Sequence, residues 1–118
     1  MTDTATITGW HAHVYFAESA MDRARQVCEA ARDLFGIRMG RMHAQPVGPH
    51  PTGSCQLSVP AEQFQEVIPW LALNRDGFDI FVHAESGDPW ADHTRHVVWL
   101  GESRPLRLDV LRAALEKS

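Results

Sequence analysis

The chain predicts an α+β fold of the ferredoxin-like split βαβ type: an antiparallel sheet with helices on one face, plus a C-terminal strand and helix. Three features lead there. Period-two runs occur at Trp10–Phe16, Ser54–Val59 and Phe78–Ala84, the pattern of strands with one buried side. Two stretches repeat apolar residues at i, i+3, i+4 and i+7, the pattern of helices with one buried stripe. The elements then follow as β-α-β-β-α-β, and after that β-α. The 118 residues suit a single domain over 1–118, and 44% hydrophobic residues with 22% charged ones support a packed core.

Residues 1–8 are expected to be a loose lead-in. Trp10–Phe16, WHAHVYF, sets Trp10, Ala12, Val14 and Phe16 on one face and His11, His13 and Tyr15 on the other. Ser19 is the expected N-cap of the first helix, with Asp22 in its first turn. That helix carries the stripe Ala24, Val27, Cys28, Ala31, Leu34 and Phe35 and stops at Gly36. Ile37–His43 is the second strand. Residues 44–53 include Pro46, Pro49, Pro51, Gly48 and Gly53, which make a stiff loop with His50 near its middle. A rigid loop loses little entropy when one of its side chains binds something.

In Ser54–Val59, Cys55, Leu57 and Val59 face one way and Ser54, Gln56 and Ser58 the other. A second helix is expected over Ala61–Asn74 with Phe64, Val67, Ile68 and Leu71 buried, and Pro69 should kink or divide it. Asp76-Gly77 is a turn. Phe78–Ala84 places Phe78, Ile80 and Val82 on one face and Asp79, Phe81 and His83 on the other. ESGDPWADHT, residues 85–94, is expected to be a polar loop whose Asp88, Asp92 and His93 have metal-ligand or acid–base potential. Arg95–Leu100 is a short fifth strand. Pro105–Glu116 is a last helix with Leu108, Leu111 and Leu115 on one side.

The split βαβ topology implies strand order 4-1-3-2, with the first strand between the third and fourth. The helices then cover Trp10, Ala12, Val14, Phe16, Leu57, Val59, Ile80 and Val82. The other face collects His11, His13, Tyr15, Ser54, Gln56, Phe81 and His83. The first and fourth strands run antiparallel, so His11 should sit beside His83, with His13 one pleat away. Opposed residues in such a ladder have Cβ atoms within about 5.5 Å, close enough to share an ion. Imidazole suits Zn, Fe, Cu and Ni, and a metal removes the repulsion that protonated neighbours would suffer. A face bearing Tyr15 and Phe81 needs cover, from the loops at 44–53 and 85–94 or from a second copy of the chain; a homodimer is expected.

The net charge of −4, with His neutral, argues against general nucleic-acid binding. No run approaches 18 apolar residues, so no membrane span is expected. The polar start MTDTATITG lacks a basic-then-apolar leader, which makes a cytoplasmic protein the expectation. Cys28 and Cys55 both lie in apolar patterns and are expected to be buried free thiols.

WHAHVYF, GPHPTGSCQL, WLALNR, VHAESGDPWADHT and VVWLG, in that order over about residues 9–101, resemble the DOPA 4,5-dioxygenase family. The resemblance implies a ferredoxin-like dimer. It also implies extradiol ring cleavage of a catechol such as DOPA with non-haem Fe(II) and O2. It carries the HxH motif onto His11 and His13, PHP onto His50, VH onto His83 and DHT onto His93. The usual iron set of two His and one carboxylate has no obvious carboxylate on this face, since Asp79 falls near the far end of its strand. The expected metal ligands are therefore His11, His13 and His83, with His50 able to replace one. Zinc or another divalent metal could occupy the same imidazoles. His93 is the expected acid–base, with His50 as its alternate. Arg41 or Arg95 could hold a substrate carboxylate. His43 and His96 have no assigned role. Two other classes fit the same residues: a non-catalytic dimer that binds a metal or small aromatic ligand, and a zinc hydrolase.

Overall fold

The computed structural model describes residues 1–117. Its elements are β1 (Gly9–Phe16), α1 (Met21–Phe35), β2 (Arg38–Met39), β3 (Gly53–Pro60), α2 (Phe64–Asn74), β4 (Ile80–Glu85), α3 (Pro89–Thr94), β5 (Val97–Leu100) and α4 (Leu108–Glu116). The strands form one antiparallel sheet in the order β2-β3-β1-β4-β5. The first four strands keep the split βαβ order, and β5 extends the sheet beyond β4.

The expected apolar face is the core. Ala12, Val14, Phe16, Leu57, Val59, Ile80 and Val82 are all buried against Val27, Cys28 and Ala31 of α1 and Val67, Ile68 and Leu71 of α2. Trp10 is only half-buried and meets Phe64 at 4.6 Å between ring centroids. Burying a large apolar side chain is worth about 1.5–3 kcal/mol, so this stripe-on-sheet contact drives the fold. Cys28 and Cys55 are buried free thiols, as expected.

Several boundaries move. Thr4–Thr6 forms a 3-10 turn capped by Asp3, where a loose segment was expected. Ser19 does not cap α1; a 3-10 turn at Glu18–Ala20 leads into the helix, and Gly36 ends it with φ 66°. The second strand is two residues long because Arg41 and Met42 leave the ladder. Gly40 still donates to the Gln56 carbonyl at 2.8 Å, and pairing returns at His43 through two 3.0 Å bonds with Ser54. Pro69 neither ends nor divides α2; the break comes earlier, at the 3-10 turn Ala61–Gln63. The fourth strand starts at Ile80 and includes Glu85.

The segment 85–94 is not a plain loop. Asp88 accepts from the Ala91 N–H at 3.1 Å, Pro89 starts the helix, and α3 follows. The last helix begins at Leu108, after Arg107, whose N–H donates to the Pro49 carbonyl at 2.7 Å. That bond ties the proline-rich loop to the C-terminal segment. Together with α3 the loop covers the second face of the sheet. Tyr15 and Phe81 there are fully buried, with the Trp99 ring 6.0 and 4.7 Å away. The cover comes from within the chain. No helix among the described residues is long and apolar enough to cross a membrane.

Candidate metal centre

The ladder places His11 directly opposite His83, and His13 opposite Phe81. Alternation along β1 and β4 turns all three imidazoles to the covered face, where their ligand atoms lie within 4.8 Å of one another. His13 and His83 are buried, and His11 is half-buried.

The hydrogen bonds decide which nitrogen each ring offers. His83 Nδ1 lies 3.0 Å from the Ala84 carbonyl, which only accepts, so Nδ1 carries the proton and Nε2 keeps a lone pair. His11 Nδ1 donates likewise to the Glu85 carboxylate at 2.8 Å. Each ring thus has an oxygen acceptor on Nδ1 and keeps the Nε2 lone pair free, the usual arrangement of ligand histidines.

His13 Nε2 stands 3.1 Å from His83 Nε2. One of these two atoms must supply a proton, or a cation must lie between the lone pairs. Two ligands on one metal at about 2.0–2.1 Å are themselves about 3.0–3.4 Å apart, so the spacing suits a shared ion.

Burial keeps the rings in the neutral form that binds metals. It pushes His83 down to about 4 and is the largest cause, with His93 and His11 adding repulsion. His13 is held well below its ordinary value by burial first and by four neighbouring imidazoles. Burial lowers His11 too, and the Glu85 carboxylate opposes that shift. The donor set therefore fits a borderline divalent ion.

Two more imidazoles border the trio. The PHP loop brings His50 over His13 at 4.1 Å between ring centroids, and the Tyr15 hydroxyl meets His50 Nδ1 at 2.7 Å. Burial pushes His50 down to about 4. His93 on α3 lies 4.1 Å from His83 between ring centroids, with its Nδ1–H on the Pro89 carbonyl at 2.7 Å, which leaves Nε2 with a lone pair. Neither belongs to the close trio.

The remaining candidates go elsewhere. Asp92 is buried and accepts from Ser86 and His96, so it anchors the 85–94 turn; His96 leans on it from the surface. Asp88 is spent on the α3 cap. Asp79 is held by Arg104 and Arg75. Arg95 closes α3. A cavity of about 190 Å³ opens beside the cluster, and its lining includes His13, His50 and Arg41.

Glu85 is the residue that sequence reasoning missed. It follows His83 by two, so on a continuing strand it shares that face, opposite Gly9. Ending the strand at Ala84 hid it in a loop.

The sequence pattern of the Dopa 4,5-dioxygenase family matches residues 10–110. The chain is similar to DOPA 4,5-dioxygenase of Amanita muscaria, 32% identical over 111 residues, 86% of this chain and 49% of that protein. It is also similar to an uncharacterized 21.2 kDa protein of Botryotinia fuckeliana, 33% identical over 112 residues, 85% of this chain and 61% of that protein. The chain thus spans about half to three-fifths of the length of these relatives. A crystal structure of a candidate dioxygenase from Nostoc punctiforme PCC 73102 superposes with a TM-score of 0.84. The two are 41% identical, over 97% of this chain and 99% of that one.

Proposed function

We propose, since this chain belongs to the DOPA 4,5-dioxygenase family, that it is an extradiol ring-cleaving dioxygenase of catechols, with Fe(II) held by His11, His13 and His83. The observation that carries the reading is the trio of imidazoles whose ligand atoms lie within 4.8 Å in a covered site. Fe(II) there would supply the Lewis-acid and redox chemistry by which a catechol and O2 react.

The chain's own residues do the rest. The Ala84 carbonyl and the Glu85 carboxylate hold His83 and His11 by Nδ1, so each keeps its Nε2 lone pair free. Phe81, fully buried and 4.7 Å from the tilted Trp99 ring, gives the site an apolar wall. His93 is the acid–base: its Nδ1–H is fixed on Pro89, which leaves Nε2 to take a phenolic proton and return it. His50, on the Tyr15 hydroxyl, is the alternate for that proton and the reserve ligand.

Anaerobic reconstitution with Fe(II), followed by L-DOPA and air, tests the proposal. The expected result is O2 uptake with a yellow semialdehyde product, lost in His13→Ala. Tight catechol binding without O2 uptake would point to a binding module instead. Ester hydrolysis with Zn(II), and no reaction with Fe(II) and catechols, would point to a zinc hydrolase.

A further inference from the structure

We infer that the cavity beside His13 is an anion subsite in which Arg41 receives the carboxylate of the substrate's side chain, so that the preferred substrate is an anionic catechol acid without an amino group. The inference rests on the catechol reading above and deepens it.

The cavity is lined by Arg41, His13, His43, His50, Ser54 and Gln56, with Gly40 and Val47 completing it; no carboxylate is among them. A second cavity of about 410 Å³ shares Arg41, His43 and Val47 and again has no acid in its lining. The chain as a whole carries a net charge of −4, so the cationic Arg41 in this acid-free lining opposes the overall sign.

Arg23, Arg25, Arg32, Arg75 and Arg104 each pair with an aspartate. The other five arginines, Arg38, Arg41, Arg95, Arg107 and Arg112, pair with no carboxylate among the described residues, and of these only Arg41 lines the cavity that reaches His13 and His50. Arg41 sits where the chain leaves the β2–β3 ladder, between Gly40 on Gln56 and His43 on Ser54, so its backbone is fixed at both sides of the cavity. A guanidinium is charged at every accessible pH and suits a carboxylate bidentately. An α-ammonium entering the same space finds the Arg41 charge and no acid to receive it, which disfavours a zwitterion against a simple anion and a cation most of all.

Three ligands with one dihydroxyphenylethyl skeleton test this: 3-(3,4-dihydroxyphenyl)propanoate, L-DOPA and dopamine. Dissociation constants are measured by anaerobic calorimetry on the Zn(II)-loaded, full-length chain. The anion is expected to bind about tenfold tighter than L-DOPA, with dopamine weakest. Arg41→Gln should collapse that ranking, and Arg41→Lys should keep its order with a smaller spread; Arg41 is exposed, so neither change should disturb folding. Equal binding of the three, no binding of any, or a ranking unchanged in Arg41→Gln overturns the inference. Ring cleavage by the Fe(II) form without a charge ranking sinks this inference and leaves the dioxygenase reading standing. A ranking without O2 uptake does the reverse.

Discussion

His13 and His83 come from strands β1 and β4, and their Nε2 atoms face each other at 3.1 Å inside the protein. His50 lies against one ring and His93 against the other, each tilted at 4.1 Å between centroids. A divalent ion would satisfy both lone pairs at once. His13→Ala and His83→Ala should therefore each lower Zn(II) and Fe(II) affinity by more than about 100-fold. Metal titration followed by calorimetry reads this, and ring cleavage should vanish in parallel.

Glu85 holds the His11 ring by its Nδ1. Glu85→Gln keeps the shape but removes the charge that draws the proton of His11 Nδ1 at 2.8 Å. The expected loss in metal affinity is about 10-fold or more. Unchanged affinity would mean that the pair is a surface contact with no bearing on the ligand.

The metal-free protein should lose stability as it is acidified. His50 and His83 titrate near 4 when folded and His13 is lowered too, against the ordinary value of 6.5 when unfolded. Between these limits the unfolded chain binds more protons, so stability is fully present above about pH 6.5 and falls as pH drops toward about 4. Each such group adds up to about 1.4 kcal/mol per pH unit in that window. Urea midpoints at pH 7, 6, 5 and 4 measure the slope, and a flat profile would contradict it.

Tyr15→Phe removes the hydroxyl that meets His50 Nδ1 at 2.7 Å in a buried site. An unmet buried polar atom costs about 1–3 kcal/mol, and urea denaturation should show a loss of that size. The nitrogen shifts of His50 should change with it, because the tautomer is no longer set by a partner.

Gly53 closes the proline-rich loop where β3 meets β1. A Cβ there would stand 2.9 Å from the His43 carbonyl, the Phe16 ring and the Phe16 carbonyl. Gly53→Ala should cost about 1–3 kcal/mol by overpacking and displace His50, three residues away. Thermal melts and the metal affinity of the variant check both effects.

The strands and the two long helices could be read from the chain because their signal is local. A side chain's neighbours two or four positions away decide its face, and Ala12, Val14, Leu57, Val59, Ile80 and Val82 all followed that rule into the core. The pairing of His11 with His83 followed once the order of elements implied an antiparallel β1 and β4. Short or irregular pieces were harder. Six residues of α3 are too few for a periodicity, though Asp88 and Pro89 signalled its start. The two-residue β2 is set by its partner strand and not by its own sequence.

What the residue order determined alone is the set of faces: which side chains lie under the helices, and that His11, His13 and His83 share the opposite side. Only the tertiary structure decided the cover and the chemistry of that side. It placed His50 against Tyr15 and His93 against His83. It gave His11 a carboxylate in Glu85, and it left Arg41 in an acid-free cavity. The reason is range: alternation is written in consecutive residues, whereas a loop's path over a sheet depends on distant bonds such as Arg107 to Pro49.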